Sequence, residues 1–98
     1  MASSKDYLIY VLDLLREVDG ISYKKMMGEF IIYKNNLIIG GIYDNRFLIK
    51  NTPSMISKKM KEEIPYPHAK KMLLVDVEDA DEIKEIVDLL YDDLLSSP

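Results

Sequence analysis

The sequence predicts an α+β domain, a two-layer α/β sandwich in the order α-β-β-β-α-β(β)-α, with a mainly antiparallel sheet and helices on one face. Three observations carry this. The stretch Tyr23 to Lys50 is dense in Ile, Tyr and Phe and is interrupted by two polar pairs, Asn35-Asn36 and Asp44-Asn45, residues that tolerate the positive φ of two-residue hairpin turns. Amphipathic segments at both ends have helical spacing. Between them, Ile64-Pro65-Tyr66-Pro67-His68 must be extended, because proline restricts itself and the residue before it.

The first helix is marked by Leu8, Val11, Leu12, Leu15 and Val18, one apolar stripe. Ser3 or Ser4 is placed to cap it, and Gly20 suits the position after its end, so it should stop near Val18 or Asp19. In the meander, two-residue turns pair Lys34 with Leu37 and Tyr43 with Arg46, giving the rows Ile31, Gly40, Ile49 and Phe30, Gly41, Leu48. Alternation then assigns Ile31, Tyr33, Ile38, Ile42, Phe47 and Ile49 to the core face, with Glu29 at a strand start. Phe30, Ile32, Ile39, Tyr43 and Leu48 fall on a second face rimmed by Lys34, Arg46 and Lys50. Gly40-Gly41 in the middle strand implies close packing of neighbours rather than a phosphate loop, since no strand-to-helix turn follows.

Beyond the meander, Thr52 and Pro53 open a short helix to about Glu63, a strand runs from about Lys70 to Val75, and Asp79 with Glu82 starts a helix to about Leu95. Residues 1–98 are expected to form a single domain, since 98 residues suffice for one core and not two.

Composition bounds function. The absence of cysteine excludes structural disulfides, thiolate metal sites and cysteine nucleophiles. The start, MASSKDYL, lacks the apolar core of a secretory signal and no run is long enough for a membrane helix, so a cytoplasmic location is expected. The net charge of −4 is unevenly spread. Ten cations face four acids between Ser22 and Val75, whereas Asp76 to Pro98 holds nine acids against Lys84. The acids of the last helix are expected to form a solvated face rather than a metal site, because no loop converges oxygen ligands.

No catalytic constellation is present, and neither enzymatic activity nor a cofactor is expected. His68 is the single histidine, and one imidazole makes no triad or metal cluster. Since both sheet faces are apolar, the second face should meet a protein partner or a second copy of the chain, or else be covered by a helix or the proline-rich segment. The candidate partner-binding residues are therefore Phe30, Ile32, Ile39, Tyr43, Arg46, Leu48 and Lys50. Lys24, Lys25, Lys58, Lys59, Lys61, Lys70 and Lys71 form an alternative, phosphate-contacting set. A small-molecule pocket near Tyr66 and His68 is the third possibility.

The segments KKMMGEFIIY at Lys24 to Tyr33, GGIYDNRFLIK at Gly40 to Lys50 and PYPHAKKML at Pro65 to Leu73 resemble the N-terminal domain of the TfoX/Sxy competence-regulator family, over essentially the whole chain. The resemblance implies a two-layer fold of the order above and a non-enzymatic role in regulating natural transformation, with a transcription activator of the cyclic-AMP receptor type as partner. The chain stops where longer members continue into a helical C-terminal domain, so a standalone version of the domain is expected. Lys25-Met26-Met27-Gly28 stands where many relatives have Arg-Met-Phe-Gly, and Met27 is soft enough to fill an aromatic's pocket.

Overall fold

A computed structural model describes residues 3–96. Helix α1 (Lys5–Leu14) is followed by strands β1 (Ile21–Met26), β2 (Glu29–Lys34), β3 (Leu37–Ile42) and β4 (Phe47–Ile49), a 3₁₀ helix (Pro53–Lys58), strands β5 (Glu62–Glu63) and β6 (Met72–Leu74), and helix α2 (Ala80–Ser96). The six strands form one sheet in the order β1-β2-β3-β4-β6-β5, with every neighbouring pair antiparallel. The two-layer α+β expectation holds, with the meander carrying four strands rather than three.

The extra strand comes from a hairpin at Met27-Gly28 that breaks the first apolar run. Met27 (φ 52°) and Gly28 (φ 83°) both take left-handed backbone, like Asn35-Asn36 and Asp44-Asn45 at the next two turns. All three connections are therefore two-residue turns with positive φ at both central positions, the form whose twist matches the strands. Methionine gives none of the local side-chain bonding that lets Asn or Asp adopt that backbone.

Helix α1 ends four residues before the expected stop, and the chain turns through Leu15 and Val18, both still buried, to Gly20 at φ 79°. Ser4 caps α1, its hydroxyl accepting from the Tyr7 N–H at 3.1 Å. The segment after Thr52 is 3₁₀ rather than α, and Thr52 supplies no side-chain cap. The cap comes instead from α2: Ser54 donates its N–H and hydroxyl to the Asp93 carboxylate, at 2.9 and 2.5 Å. Asp79 caps α2 through its side chain, accepting from the Asp81 N–H at 3.0 Å.

Between the helices and the sheet lie Leu8, Val11 and Leu15 from the α1 end, Ile83, Ile86, Val87 and Leu90 from α2, and Phe30, Ile32, Ile39, Ile42, Phe47, Ile49 and Leu73 from the sheet. Burying each such large apolar side chain stabilises the fold by about 1.5–3 kcal/mol. This core corrects the assignment of faces. Phe30, Ile32 and Ile39, expected on the partner-binding face, are core residues, while Ile31, Tyr33 and Ile38, expected in the core, lie on the other face.

The reason is a bulge. Near the turn, Tyr33 pairs with Ile38 and Lys34 with Leu37 as expected, but Ile32 pairs with Gly40, leaving Ile39 unopposed. From there on Phe30 faces Ile42 and Ile31 faces Gly41. One unopposed residue moves every later side chain of β2 to the other face relative to β3. The β3–β4 pairing has the expected register, with Gly40 opposite Ile49 and Gly41 opposite Leu48. Lys34 trades faces with its strand. It is buried on the helix side, where its ammonium donates to the Asp19 carbonyl at 2.8 Å and sits 5.0 Å from the Tyr91 ring centre.

Candidate functional site: the second face of the sheet

The face turned away from the helices is set by strand alternation: Ser22, Lys24 and Met26 of β1, Glu29, Ile31 and Tyr33 of β2, Ile38 and Gly41 of β3, Leu48 of β4, and Met72 and Leu74 of β6. Its middle is covered. Leu48 is completely buried although it stands outside the main core. The Tyr43 ring lies across Gly41, so close that a Cβ there would come within 2.8 Å of it. Tyr66 of the proline-rich segment packs against Tyr43 with ring centres 6.1 Å apart, and Pro65 is buried. Of the two covers considered for this face, the proline-rich segment is the one present.

Arg46 fixes that cover. Its guanidinium donates to Glu63 at 2.6 Å and to the carbonyls of Ile64 and Pro65 at 3.2 and 3.4 Å, while its Nε donates to the Tyr43 carbonyl at 3.1 Å. The planar fork of arginine suits this divergent set, which an ammonium does not reproduce. Arg46 holds the Glu63 carboxyl below its ordinary range, with Lys61 adding a smaller effect. Burial pushes the Tyr43 hydroxyl above its ordinary range, with Tyr66 and Glu29 acting in the same direction.

At the other end of the ridge, Glu29 organises three segments. One of its oxygens accepts from the Ser3 N–H at 2.9 Å and from the Ser3 hydroxyl, and the other accepts from the Asp44 N–H at 3.0 Å. Ser3 in turn accepts from the Asn45 N–H at 3.0 Å. The approach to α1 is thereby tied to the β3–β4 turn.

The ridge of Tyr43, Pro65 and Tyr66 divides the face into two grooves. The first, of about 460 Å³, is lined by Met26, Met27, Glu29 and Ile31 together with the ridge. Met27 at its mouth is 97% exposed, on a turn that orders its backbone. The second, also about 460 Å³, runs along Ile38, Lys50, Asn51, Ala69, Lys70, Lys71 and Met72 on the other side of the ridge.

No family model matches the chain. A protein of Spirochaeta aurantia, described as an uncharacterized 12.7 kDa protein in the trpE 5' region, is 30% identical to it over 91 residues, spanning 89% of this chain and 79% of that protein. The chain belongs to the family of this spirochaetal protein. The similarity extends over most of the domain rather than over a local motif.

Of the residues assigned to partner binding from the sequence, Tyr43 and Lys50 line the grooves, Arg46 is spent on the clamp, Leu48 lies under cover, and Phe30, Ile32 and Ile39 are in the core. Met26 and Met27 of the Lys25-Met26-Met27-Gly28 motif line the first groove, beside Ile31, which was expected in the core, and Pro65, which was not among the expected binding residues. The lysine set does not form one surface. Lys58 pairs with Glu85 of α2 at 2.8 Å, Lys61 lies 3.6 Å from Glu63, and Lys59 ends the 3₁₀ helix in left-handed backbone. Lys24 and Lys25 are neighbours on β1 and so point to opposite faces. Only Lys70 and Lys71 share a groove, where Lys50 joins them. His68 is exposed at φ 69° in a turn closed by the Ala69 N–H on the Tyr66 carbonyl, and lines neither groove, unlike Tyr66. Among the described residues no cluster of three or more His, Asp or Glu is arranged to hold a metal, and no helix is long and apolar enough to cross a membrane.

Proposed function

We propose that this domain is a non-enzymatic regulatory module, of the kind the TfoX/Sxy N-terminal domain resemblance implies, and that it binds a protein partner through the Met26–Met27 groove. The observation that carries the reading is Met27. The turn presents this 97% exposed side chain beside a groove built from Met26, Ile31 and Pro65, which makes it part of a contiguous apolar surface of the kind that marks interaction sites. Flexible methionines at a groove mouth adapt to an incoming apolar anchor, which is how Met-rich surfaces recognise helices and extended segments. A transcription activator is the partner class that the resemblance suggests, and a second copy of the chain is the alternative occupant.

The test is a pull-down from native lysate comparing the unaltered chain with Met27→Asn and with Ile31→Asp, each checked by circular dichroism for folding. Loss of specific partners in both variants is expected. An unchanged partner set in both removes this groove as the binding surface. Sedimentation of the same proteins separates self-association from capture of another protein.

A further inference from the structure

We infer that the second groove, between Ile38 and the Pro65–Met72 segment, is a binding site for a nucleoside phosphate. This inference is independent of the Met27 groove and goes beyond the protein-interaction reading. Its first basis is charge. Lys50, Lys70 and Lys71 line the groove, no Asp or Glu does, and none of the three lysines has a carboxylate partner among the described residues. Of the other cations of the basic segment, Arg46, Lys58 and Lys61 are paired with acids and Lys34 is buried on a carbonyl and a tyrosine ring, while Lys24, Lys25 and Lys59 line neither groove. Three uncompensated ammonium groups at one concavity raise the local concentration of anions, and lysine is a common point-charge ligand of phosphate.

The second basis is the aromatic and apolar part of the same lining. Tyr66 is 59% exposed and stands with Tyr43, Pro65, Ile38 and Met72 along the groove. An exposed tyrosine held by a buried proline and a ring neighbour is a ready stacking surface for a planar base. A volume of about 460 Å³ lies within the usual range for small-ligand sites, roughly 300–1,000 Å³. Asn51 also lines the groove, with its amide nitrogen engaged by Glu62 at 3.2 Å and its carbonyl oxygen left as an acceptor for a base or ribose donor.

The third basis limits the size of the ligand. The Tyr43–Tyr66 ridge closes the groove on one side, and beyond it lies the first groove, where Glu29 replaces lysine. A strand crossing the ridge would bring its phosphates from cations to a carboxylate, which favours a single nucleotide over a continuous single strand. Helix α2 contributes Leu94 to the groove's lining; the neighbouring Asp93 carboxylate is engaged by Ser54, and Asp81, Glu85, Asp88 and Asp92 line a separate surface of α2.

The experiment is equilibrium binding by calorimetry on the full chain at low salt, with AMP, ADP and UMP as probes and adenosine and inorganic phosphate as partial ligands. Saturable nucleotide binding is expected, stronger for ADP than for AMP and stronger for either than for its parts. The Lys70→Glu/Lys71→Glu variant, altered only at exposed positions, should weaken it at least about tenfold, and Tyr66→Ala about fivefold to tenfold, with the circular dichroism spectrum retained. Met27→Asn should leave it unchanged, so that failure of the partner groove and failure of this site are read separately. Absence of saturable binding at millimolar nucleotide, equal binding by the double lysine variant, or binding to oligonucleotides with none to mononucleotides overturns the assignment.

Discussion

Arg46 and Glu63 meet at 2.6 Å with both side chains largely withdrawn from solvent, and the same guanidinium caps the carbonyls of Ile64 and Pro65. The pair joins the β3–β4 turn to the segment that covers the sheet. Removing the arginine leaves a carboxylate and two carbonyls without their donor, which is more costly than the net value of the bonds themselves. Arg46→Ala is therefore expected to lower stability by about 1–3 kcal/mol and to raise hydrogen exchange selectively over residues 62–67. Arg46→Lys should recover only part of this, because one ammonium does not span the divergent acceptors. Urea unfolding and residue-resolved exchange check both outcomes; uniform exchange across the sheet would refute a local clamp.

Acid should loosen the same clamp. Arg46 first, then Lys61, holds the Glu63 carboxyl below its ordinary value of 4.5, and Ser54 does the same for Asp93 against 3.8, with the Thr52 hydroxyl buried beside that carboxylate. A carboxyl whose folded pKa is depressed binds its proton more weakly in the native state than in the unfolded one. Its stabilisation is thus complete above the unfolded value and drains as pH falls through the lower folded value. Stability should fall below about pH 4.5, and NMR titration should place the Glu63 midpoint below the ordinary glutamate value of 4.5. In Arg46→Ala the Glu63 midpoint should rise, while that of Asp93 stays where it was.

The two glycines of β3 differ in what a side chain would strike. A Cβ on Gly40 would come within 2.2 Å of the Leu48 carbonyl oxygen and 2.8 Å of the Ile49 Cα, both backbone atoms of the next strand. At Gly41 it would meet the Phe30 carbonyl oxygen at 2.7 Å and the Tyr43 ring at 2.8 Å, of which only the ring belongs to a side chain. Gly40→Ala is expected to cost about 3 kcal/mol, at the upper end of overpacking penalties, lowering Tm by more than about 10 °C for a domain of this size. Gly41→Ala should cost less and should shift the tyrosine fluorescence by displacing Tyr43. Equal losses at the two positions would contradict this account.

These contacts also explain which parts of the fold were legible in the residues. Asn35-Asn36 and Asp44-Asn45 announce their turns because their side chains favour left-handed backbone, and the register between β3 and β4 follows from them. The bulge at Ile39 has no such signature. Ile39 is an ordinary strand residue, and the insertion is selected by packing: it places Phe30, Ile32 and Ile39 together under the helices while Gly40 clears the backbone of Leu48. That long-range choice inverted the faces of β2, and with them most of the expected binding surface. The cover was partly legible, since prolines 65 and 67 force an extended segment, whereas its anchor at Arg46 depends on a residue distant in sequence. The grooves are products of that anchor, and their lining is scattered from Met26 to Met72.

Met27 separates folding from recognition. At φ 52° it occupies backbone that costs a non-glycine L-residue about 1–2 kcal/mol, a cost asparagine partly offsets by local hydrogen bonding. The side chain is 97% exposed, so its removal takes no contact from the core. Met27→Asn should therefore stabilise the domain by about 0.5–1 kcal/mol, raising Tm by a few degrees, while abolishing capture of the protein partner at the first groove. Thermal unfolding and the pull-down, run on the same preparation, check the two effects together. A residue kept for the turn alone would give the gain in stability with no loss of partner, and that result would remove the argument that Met27 is presented for binding.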